Sequence, residues 1–280
     1  MKPAPFEYRA PETVDEALEV LARGDRTKVL AGGQSLVQLM KFRVAKPSVL
    51  VDVNGVAGLD VLEERDGELH VGAIVRQQRL LEDDLVSRWP LLREAARFVG
   101  YKETRRRGTV GGSLAFAAPW AELTAAVVAL DASIDVRSTR GERTIAAREF
   151  FRGPNETALE PDELITGARF PAPAARSGAA FHEVSARYRD YAQLAAGAVV
   201  TVDEGGTCTA AELVLLRVAD TPLRVDATDA VSDESALDEL LAGIDPPDDI
   251  EASAAHRRRV APVLARRALR DAAERARADA

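Results

Sequence analysis

The apolar positions near the start of the chain recur at helical spacing. Apolar residues three or four positions apart predict a first helix over 14–21, with a buried face of Val14, Ala17, Leu18 and Leu21. Thr13 and Glu16 have the spacing of a capping box, which marks a helix N-terminus. Gly24 is a typical residue just beyond a helix end. The chain is therefore expected to open with a short amphipathic helix.

Two short apolar runs follow, at 28–31 and 49–53, and each predicts a buried strand. The first run leads into a glycine pair, after which residues 35–40 are expected to form a helix. Asn54-Gly55 is a turn signal that ends the second run. The resulting β–α–β opening is typical of domains that mix helices and sheets.

The middle of the chain alternates between the two periodicities. Strands are expected at 69–73, 134–137 and 162–170. Helices are expected near Leu80, at 91–99 and at 121–130. A Pro- and Ala-rich stretch at 171–178 is the best candidate for a linker between domains. We therefore expect a domain boundary near residue 172.

The last third of the chain has a different pattern. Strand-like runs lie at 195–202 and 213–218, and an acidic, turn-rich segment spans 226–249. A long helix rich in Ala and Arg is expected from about Ala252 to the end. No tandem repeat of fixed period is present.

Composition excludes several classes of protein. The 280 residues are 46% apolar, which is enough to fill the cores of two domains. No run approaches the roughly 18 to 20 apolar residues of a membrane span, and the N-terminus lacks the apolar core of a signal peptide. We therefore expect a cytoplasmic protein with no membrane role. The net charge of -8 argues against nucleic-acid binding.

Cysteine and histidine usage limits the chemistry further. Cys208 is the only cysteine, so the chain cannot carry an iron–sulfur cluster or an internal disulfide. The three histidines, His70, His182 and His256, are far apart in sequence and show no metal-ligand spacing. No catalytic triad or similar grouping is visible, and the catalytic residues stay unassigned. Arginines 257–259, 266 and 267 on the tail helix are interpreted as a solvated or subunit-facing surface.

Two glycine pairs carry the clearest chemical signal. One lies in Ala31-Gly32-Gly33-Gln34-Ser35-Leu36, and the other in Thr109-Val110-Gly111-Gly112-Ser113. Paired glycines in a turn can adopt positive φ and direct consecutive N–H groups toward one anion. Hydroxyl groups flank both pairs, and a following helix N-terminus would further favour a phosphate. Two such turns predict that two loops converge on a diphosphate.

Neither turn is a known nucleotide fingerprint. The first lacks the G-x-G-x-x-G spacing and the acidic residue of a dinucleotide-binding βαβ unit. Neither pair is followed by Gly-Lys-Ser or Gly-Lys-Thr, so a P-loop is excluded. A diphosphate site of another type is therefore expected.

These motifs make the chain similar to a known family. AGGQSL at 31–36 and RGTVGGSLAFAAPWAEL at 107–123 resemble the FAD-binding medium subunit of molybdenum hydroxylases, which includes the carbon monoxide dehydrogenase medium chain and the flavin domain of xanthine dehydrogenase. TALEPDELITGARFP at 157–171, FHEVSARYRDYAQLAAGAVV at 181–200 and DDIEASAAHRRRVAPVLARRAL at 248–269 also match. The resemblance covers nearly the whole chain, and the first two motifs are specific in combination.

The resemblance implies an α+β fold in two domains. Residues 1–172 would form a two-lobed FAD-binding domain of the vanillyl-alcohol-oxidase type, with lobes at about 1–55 and 56–172. Residues 173–280 would form a small C-terminal domain with an antiparallel sheet and helices.

The resemblance also implies the site residues. The two glycine turns would wrap the FAD diphosphate, and Glu122 would contact the adenosine ribose. Leu164 and Ile165 match apolar residues beside the isoalloxazine ring, and Asp190 and Tyr191 match a stretch near its edge; ordinary core packing is the alternative for Leu164 and Ile165. The FAD would be non-covalent, because Gln34 stands where relatives with a covalent flavin have His or Cys.

The sequence departs from the family pattern at two places. Phe116 and Ala118 stand where the family often has His and Asp. His182 or Glu183 stands where it often has Lys. These changes are expected to alter the surroundings of the flavin.

Three functions follow from the resemblance. The first is an electron-transfer subunit that works with a large molybdopterin subunit and a small iron–sulfur subunit, and passes electrons to an acceptor such as NAD or oxygen. The second is a stand-alone FAD-dependent oxidoreductase with a small organic substrate, for which Phe116 and Ala118 would line the pocket. The third is a scaffold that has lost FAD, which the intact glycine turns disfavour.

Overall fold

The structure, a computed structural model, describes residues 2–24 and 26–278. Met1, Asp25 and residues 279–280 lie outside the described residues, and with them the outer ends of the two expected domains. Helices and sheets mix along the described chain in the way that the α+β prediction requires.

A small parallel sheet forms the first lobe. Its elements are β1 (Glu7–Arg9), α1 (Val14–Leu21), β2 (Thr27–Leu30), α2 (Leu36–Lys41) and β3 (Val49–Asp52). Strand β3 lies between β1 and β2 and pairs in parallel with both. The expected β–α–β opening is confirmed. Because the strands are parallel, the loops after β2 and β3 leave the same edge of the sheet.

The capping box of α1 forms as predicted. The Glu16 N–H donates to Thr13 Oγ1 at 3.2 Å, and the Glu16 carboxylate accepts from the Thr13 N–H. Ala17, Leu18 and Leu21 are buried against the sheet. Local sequence thus defines both the start and the apolar face of this helix.

The second lobe is larger and is built on an antiparallel sheet. Its elements in chain order are β4 (Leu62–Arg65), β5 (Glu68–Gly72), α3 (Arg79–Glu82), a 3-10 helix (Asp84–Arg88), α4 (Pro90–Phe98), α5 (Lys102–Arg107), α6 (Val110–Phe116), α7 (Glu122–Ala129), β6 (Ser133–Ser138), β7 (Gly141–Ala146), α8 (Ala147–Phe150), β8 (Phe151–Gly153), β9 (Glu156–Thr157) and β10 (Leu164–Phe170). The five-stranded sheet has the order β4-β5-β10-β6-β7.

The C-terminal part is a four-stranded antiparallel sheet covered by a long helix. Its elements are β11 (Ser177–Ser185), β12 (Ala192–Val202), β13 (Cys208–Leu216), β14 (Leu223–Asp226), a 3-10 helix (Asp229–Val231), α9 (Glu234–Leu241) and α10 (Ala254–Ala278). The segment 226–249 is therefore not only turns, since α9 buries Leu237 and Leu241. The last two residues of the expected linker belong to β11.

Helix α7 lies where the parts of the fold meet. All eight of its residues are buried, which is typical of a helix that is covered on every side. It packs on α4 and on strands β12 and β13. Successive residues of β12 face opposite sides of the sheet and pack in different cores. Ala195 faces α7, and Ala196 faces α10. Glu122, the first residue of α7, is held at this junction.

The arginines of the tail helix were expected to form a solvated or subunit-facing surface, and this is wrong for Arg257. Arg257 is fully buried, and its guanidinium donates to Asp249 Oδ1 at 2.9 Å and to the Gln193 carbonyl at 2.8 Å. Arg258 and Arg259 are exposed, as expected of a solvated surface. The reason is helical phase, because position 257 lies on the same face as the buried Ala261 and Leu264. In the described part of the chain no helix is long and apolar enough to cross a membrane.

Candidate cofactor-binding site

The first glycine turn joins β2 to α2 at the edge of the parallel sheet. Gly33 has a φ of 73°, a left-handed conformation that favours glycine. Gly32 is needed for a different reason, because a Cβ there would lie 2.3 Å from the Arg107 carbonyl oxygen and 2.8 Å from Gly108 Cα. The turn therefore lies directly against the backbone that leads into the second glycine pair.

The N–H groups of the first turn are available to a ligand. Within the described ranges, no group accepts a hydrogen bond from the backbone N–H groups of residues 32–35. The Ser35 hydroxyl does not cap α2, and Gln34 is exposed. Adjacent free N–H groups on a glycine turn are a typical way to bind an anion.

The second glycine pair differs from the prediction. Gly111 and Gly112 lie in the first turn of α6 and not in a positive-φ turn. The Gly111 N–H donates to the Ala73 carbonyl at 2.8 Å, and the Gly112 N–H donates to Thr109 Oγ1 at 3.1 Å. The expectation that both pairs present free N–H groups is therefore wrong for this pair, since helix formation and the contact with Ala73 use them.

The two turns nevertheless come together. A Cβ on Gly112 would lie 3.7 Å from the Ala31 Cβ, and Gly32 contacts Arg107 and Gly108. The hydroxyl-bearing Ser113 is half-buried beside this seam. We use the name glycine seam for the contact of residues 31–35 with residues 107–113. The predicted convergence of the two motifs is thus present in the structure.

Two residues that sequence reasoning missed hold the glycine seam. Asn54 Nδ2 donates to the Ala31 carbonyl at 2.9 Å. The Arg76 guanidinium donates to Asn54 Oδ1 at 2.7 Å and also to the Arg107 carbonyl. The Asn54-Gly55 turn signal marked this place in the sequence, but no local pattern singles out Arg76, because its partners are distant in the chain.

Glu122 belongs to a cluster of carboxyl and guanidinium groups between the second lobe and the C-terminal sheet. It is 8% exposed. Burial raises the pKa of Glu122 to about 7, against the lowering effect of Arg189 and Arg105. Burial and the Glu122 charge raise the pKa of Glu183 to about 9. Among the described residues, nothing hydrogen-bonds to the buried Glu183 Oε2.

His182 and Glu183, the two positions at which a family Lys was expected, lie on opposite faces of strand β11. Successive residues of a strand face opposite sides of a sheet, so His182 and Glu183 point apart. His182 Nε2 lies 2.8 Å from Asp271 Oδ2 on α10, whereas Glu183 faces Glu122. Glu183 is therefore the one of these two residues that lies beside Glu122.

Asp190 and Tyr191 lie in the connection between β11 and β12. Asp190 accepts a hydrogen bond from Arg187 Nε at 2.9 Å, and this bond lowers the pKa of Asp190. The ring of Tyr191 is exposed, and its centroid lies 4.7 Å from that of Trp120, two residues before Glu122. The structure thus brings this connection close to the start of α7.

Leu164 and Ile165 open strand β10, and each is 4% exposed. Leu164 packs in the core of the first lobe with Ile74, and Ile165 packs in the core of the second lobe. The backbone carbonyl of the next residue, Thr166, accepts a hydrogen bond from the Ala73 N–H at 3.0 Å. Since Ala73 also supports Gly111, these residues lie in the strand layer just behind the glycine seam.

Phe116 and Ala118, which stand where the family often has His and Asp, lie at the end of α6. Ala118 is 3% exposed and Phe116 is half-buried. The chain between them turns through Ala117, which has a φ of 47°.

Across residues 2–24 and 26–278, no group of three or more His, Cys, Asp or Glu side chains could hold a metal ion.

The unpartnered groups fit a flavin dinucleotide. Free N–H groups on the first turn suit a phosphate. The unpartnered Glu183 Oε2, with the Glu122 carboxyl group beside it, suits ribose hydroxyl groups. These features fit a protein of mixed α and β structure that binds a dinucleotide cofactor.

Comparison with known proteins identifies the family. Residues 4–173 match the family described as the FAD binding domain in molybdopterin dehydrogenase, and residues 179–272 match the carbon monoxide dehydrogenase flavoprotein C-terminal domain. The chain therefore belongs to the family of FAD-binding medium subunits of molybdenum hydroxylase-type dehydrogenases. FAD is its cofactor, and the resemblance found from the sequence motifs is confirmed.

Relatives match along the full length of the chain. The alpha subunit of the 6-hydroxypseudooxynicotine dehydrogenase complex of Paenarthrobacter nicotinovorans is 38% identical over 99% of this chain and 97% of its own. Carbon monoxide dehydrogenase from Hydrogenophaga pseudoflava superposes with a TM-score of 0.93 at 33% identity, over 98% of this chain and 99% of the other. Quinoline 2-oxidoreductase from Pseudomonas putida 86 gives a TM-score of 0.93 at 35% identity, over 99% of each chain.

Proposed function

We propose that this chain is the electron-transfer subunit of a molybdenum hydroxylase-type complex. Its partners would be a large molybdopterin subunit and a small iron–sulfur subunit, and electrons would leave through FAD to an acceptor such as NAD or oxygen. The observation that carries the proposal is the glycine seam, whose first turn presents free N–H groups, in a sequence that shows no nucleophilic triad. When bound, FAD supplies the redox chemistry.

Each part of the site would then have a distinct task. Residues 31–36 would hold the diphosphate through backbone N–H groups, and Ser35, Thr109 and Ser113 would add hydroxyl groups. Glu122 would accept hydrogen bonds from the adenosine ribose. Leu164 and Ile165 would flank the isoalloxazine ring, and Asp190 and Tyr191 would lie near its edge. Aromatic and apolar walls exclude water from such a ring.

A non-covalent flavin fits the positions of the nucleophilic groups. Gln34 in the first turn cannot form the bond that His or Cys forms in covalent flavoproteins. Cys208 lies at the start of β13, and its Sγ donates to the Ala210 carbonyl at 3.6 Å. FAD should therefore be released intact when the protein is unfolded.

The relatives support a role within an assembly. Their names describe a medium chain and a subunit of a dehydrogenase complex. Within the described residues, several large apolar side chains of the first lobe are exposed, namely Tyr8 (54%), Val37 (49%), Phe42 (64%) and Val44 (74%). Exposed apolar area of this kind is typical of subunit interfaces.

Two experiments test the proposal. The purified protein should show a flavin spectrum, or take up FAD, and release it after heat denaturation. Co-expression with candidate large and small subunits should yield a stable complex in which substrate reduces the flavin only when both partners are present. A lone chain that oxidises a small organic substrate with oxygen would overturn the electron-transfer role in favour of a stand-alone enzyme.

A further inference from the structure

Arg76 contacts one side of the glycine seam directly and the other side through Asn54. It lies in the loop between β5 and α3, and its backbone forms an isolated bridge with Thr109. One arm of its guanidinium donates to the Arg107 carbonyl, beside Gly32. The other arm donates to Asn54 Oδ1 at 2.7 Å. A single planar side chain therefore spans the distance from the loop after β3 to the end of α5.

The Asn54 side chain carries this contact on to the first turn. Its amide nitrogen donates to the Ala31 carbonyl at 2.9 Å and to Asp52 Oδ1. Asp52 in turn accepts a hydrogen bond from the Tyr8 hydroxyl at 2.6 Å. The amide of Asn54 is thereby held with its oxygen toward Arg76 and its nitrogen toward Ala31. The order Ala31–Asn54–Arg76–Arg107 is a continuous polar path across the seam.

The charge around Arg76 favours an anion. Partial burial and the nearby Arg107 charge lower the pKa of the Arg76 guanidinium, and Asp52 opposes this effect. Arg107 is exposed. Two guanidinium groups of like charge are stabilised when a negative ligand lies close to them.

We propose that Arg76 is a positioning residue for FAD: it holds the two glycine motifs at the separation that lets both contact one diphosphate. This inference rests on the proposed FAD site. The guanidinium fork is essential to the role, because a lysine at this position would keep the charge but could not donate to Asn54 and Arg107 in the same fixed plane. Asn54 is the second half of the bridge.

Three variants and one control test the inference through FAD binding to the apoprotein, followed by flavin fluorescence. Arg76→Lys and Asn54→Ala should each raise the Kd for FAD about tenfold, the effect of one charge-assisted hydrogen bond. In the double variant, the Kd for FAD should rise by less than the product of the two single increases, because both substitutions interrupt the same polar path. Arg93→Lys is the matched control, because Arg93 also donates to a carbonyl, that of Leu81 at 2.9 Å, away from the seam.

Thermal unfolding of each apoprotein separates positioning from folding. The melting temperatures of Arg76→Lys and Arg93→Lys should fall together, while only the Arg76 variant loses FAD affinity. Affinity equal to wild type in Arg76→Lys or in Asn54→Ala, or strictly multiplicative effects in the double variant, would overturn the inference alone. A wild-type protein that binds no FAD would overturn the proposed function, and this inference with it.

Discussion

Gly32 and Arg107 are in backbone contact although 75 positions separate their numbers: a Cβ added to Gly32 would lie 2.3 Å from the Arg107 carbonyl oxygen. The same carbonyl accepts a hydrogen bond from Arg76. The place where the two motifs meet therefore has no room for a side chain, and it is also the place where the polar bridge ends.

The Gly32→Ala variant should lose FAD while keeping most of its fold. The added methyl group must push the second motif away, which we expect to weaken FAD binding at least about tenfold. Flavin content after purification and an FAD titration measure the effect. Gly55→Ala is the control, since nothing lies within 4 Å of a Cβ there. Equal flavin content in both variants would contradict the contact.

The Gly111→Ala variant should mainly affect stability. A Cβ at Gly111 would lie 2.7 Å from the Ala73 Cβ and 2.9 Å from the Ala73 backbone. Overpacking against a strand is expected to cost about 1–3 kcal/mol of unfolding free energy. Urea denaturation of the apoprotein measures this cost. An unfolding free energy equal to that of wild type would mean that α6 moves away from β5 without penalty.

The Glu122→Ala variant should weaken FAD binding by about 1–3 kcal/mol, the typical cost of removing a charged hydrogen-bond partner. FMN lacks the adenosine ribose, so FMN binding should be the same in the variant and in wild type. Parallel titrations with the two flavins give the comparison. Equal loss of FMN and FAD would argue against a contact with the ribose.

The apoprotein should lose stability as the pH rises through the neutral range. The pKa of Glu122 is raised to about 7 and that of Glu183 to about 9, both above the unfolded value of about 4.3. The folded state therefore binds more protons, and the stabilisation is fully present below about pH 4.3 and is lost as the pH rises toward 9. Melting temperatures between pH 6 and 9 should fall less steeply in Glu183→Gln than in wild type. Glu239→Gln, at an exposed site, is the control, and a slope in Glu183→Gln that matches wild type would contradict the burial of the pair.

The Arg257→Met variant should lower the unfolding free energy by about 3–5 kcal/mol, because removing a fully buried cation leaves the partners of a buried ion pair unsatisfied. Burial alone would raise the pKa of Asp249, but the hydrogen bond from Arg257 helps to lower it to about 2. The stability that the ion pair contributes is therefore lost only as the pH falls toward about 2. Urea denaturation gives the free energy. Arg258→Met should change it by less than about 0.5 kcal/mol, and similar losses in the two variants would contradict the difference in burial.

Local chemistry determined what could be predicted from sequence. The capping box at Thr13 and Glu16 and the helix that follows it depend on neighbours within four residues, and they form as expected. Short apolar runs predicted β2, β3 and β5 to within one or two residues. The two glycine motifs, each a short local pattern, were specific enough in combination to indicate the family.

Tertiary structure decided the features that depend on distant partners. The Gly111 N–H, which was expected to face a ligand, donates instead to the carbonyl of Ala73, 38 positions away. Arg257 is buried and Arg258 is not, since the phase of α10 against the sheet separates them. Arg76 bridges the glycine seam through residues that lie more than 20 positions away. A side chain gains such a role only when chain folding removes it from water and places a partner within hydrogen-bond distance, and no local sequence pattern encodes that event.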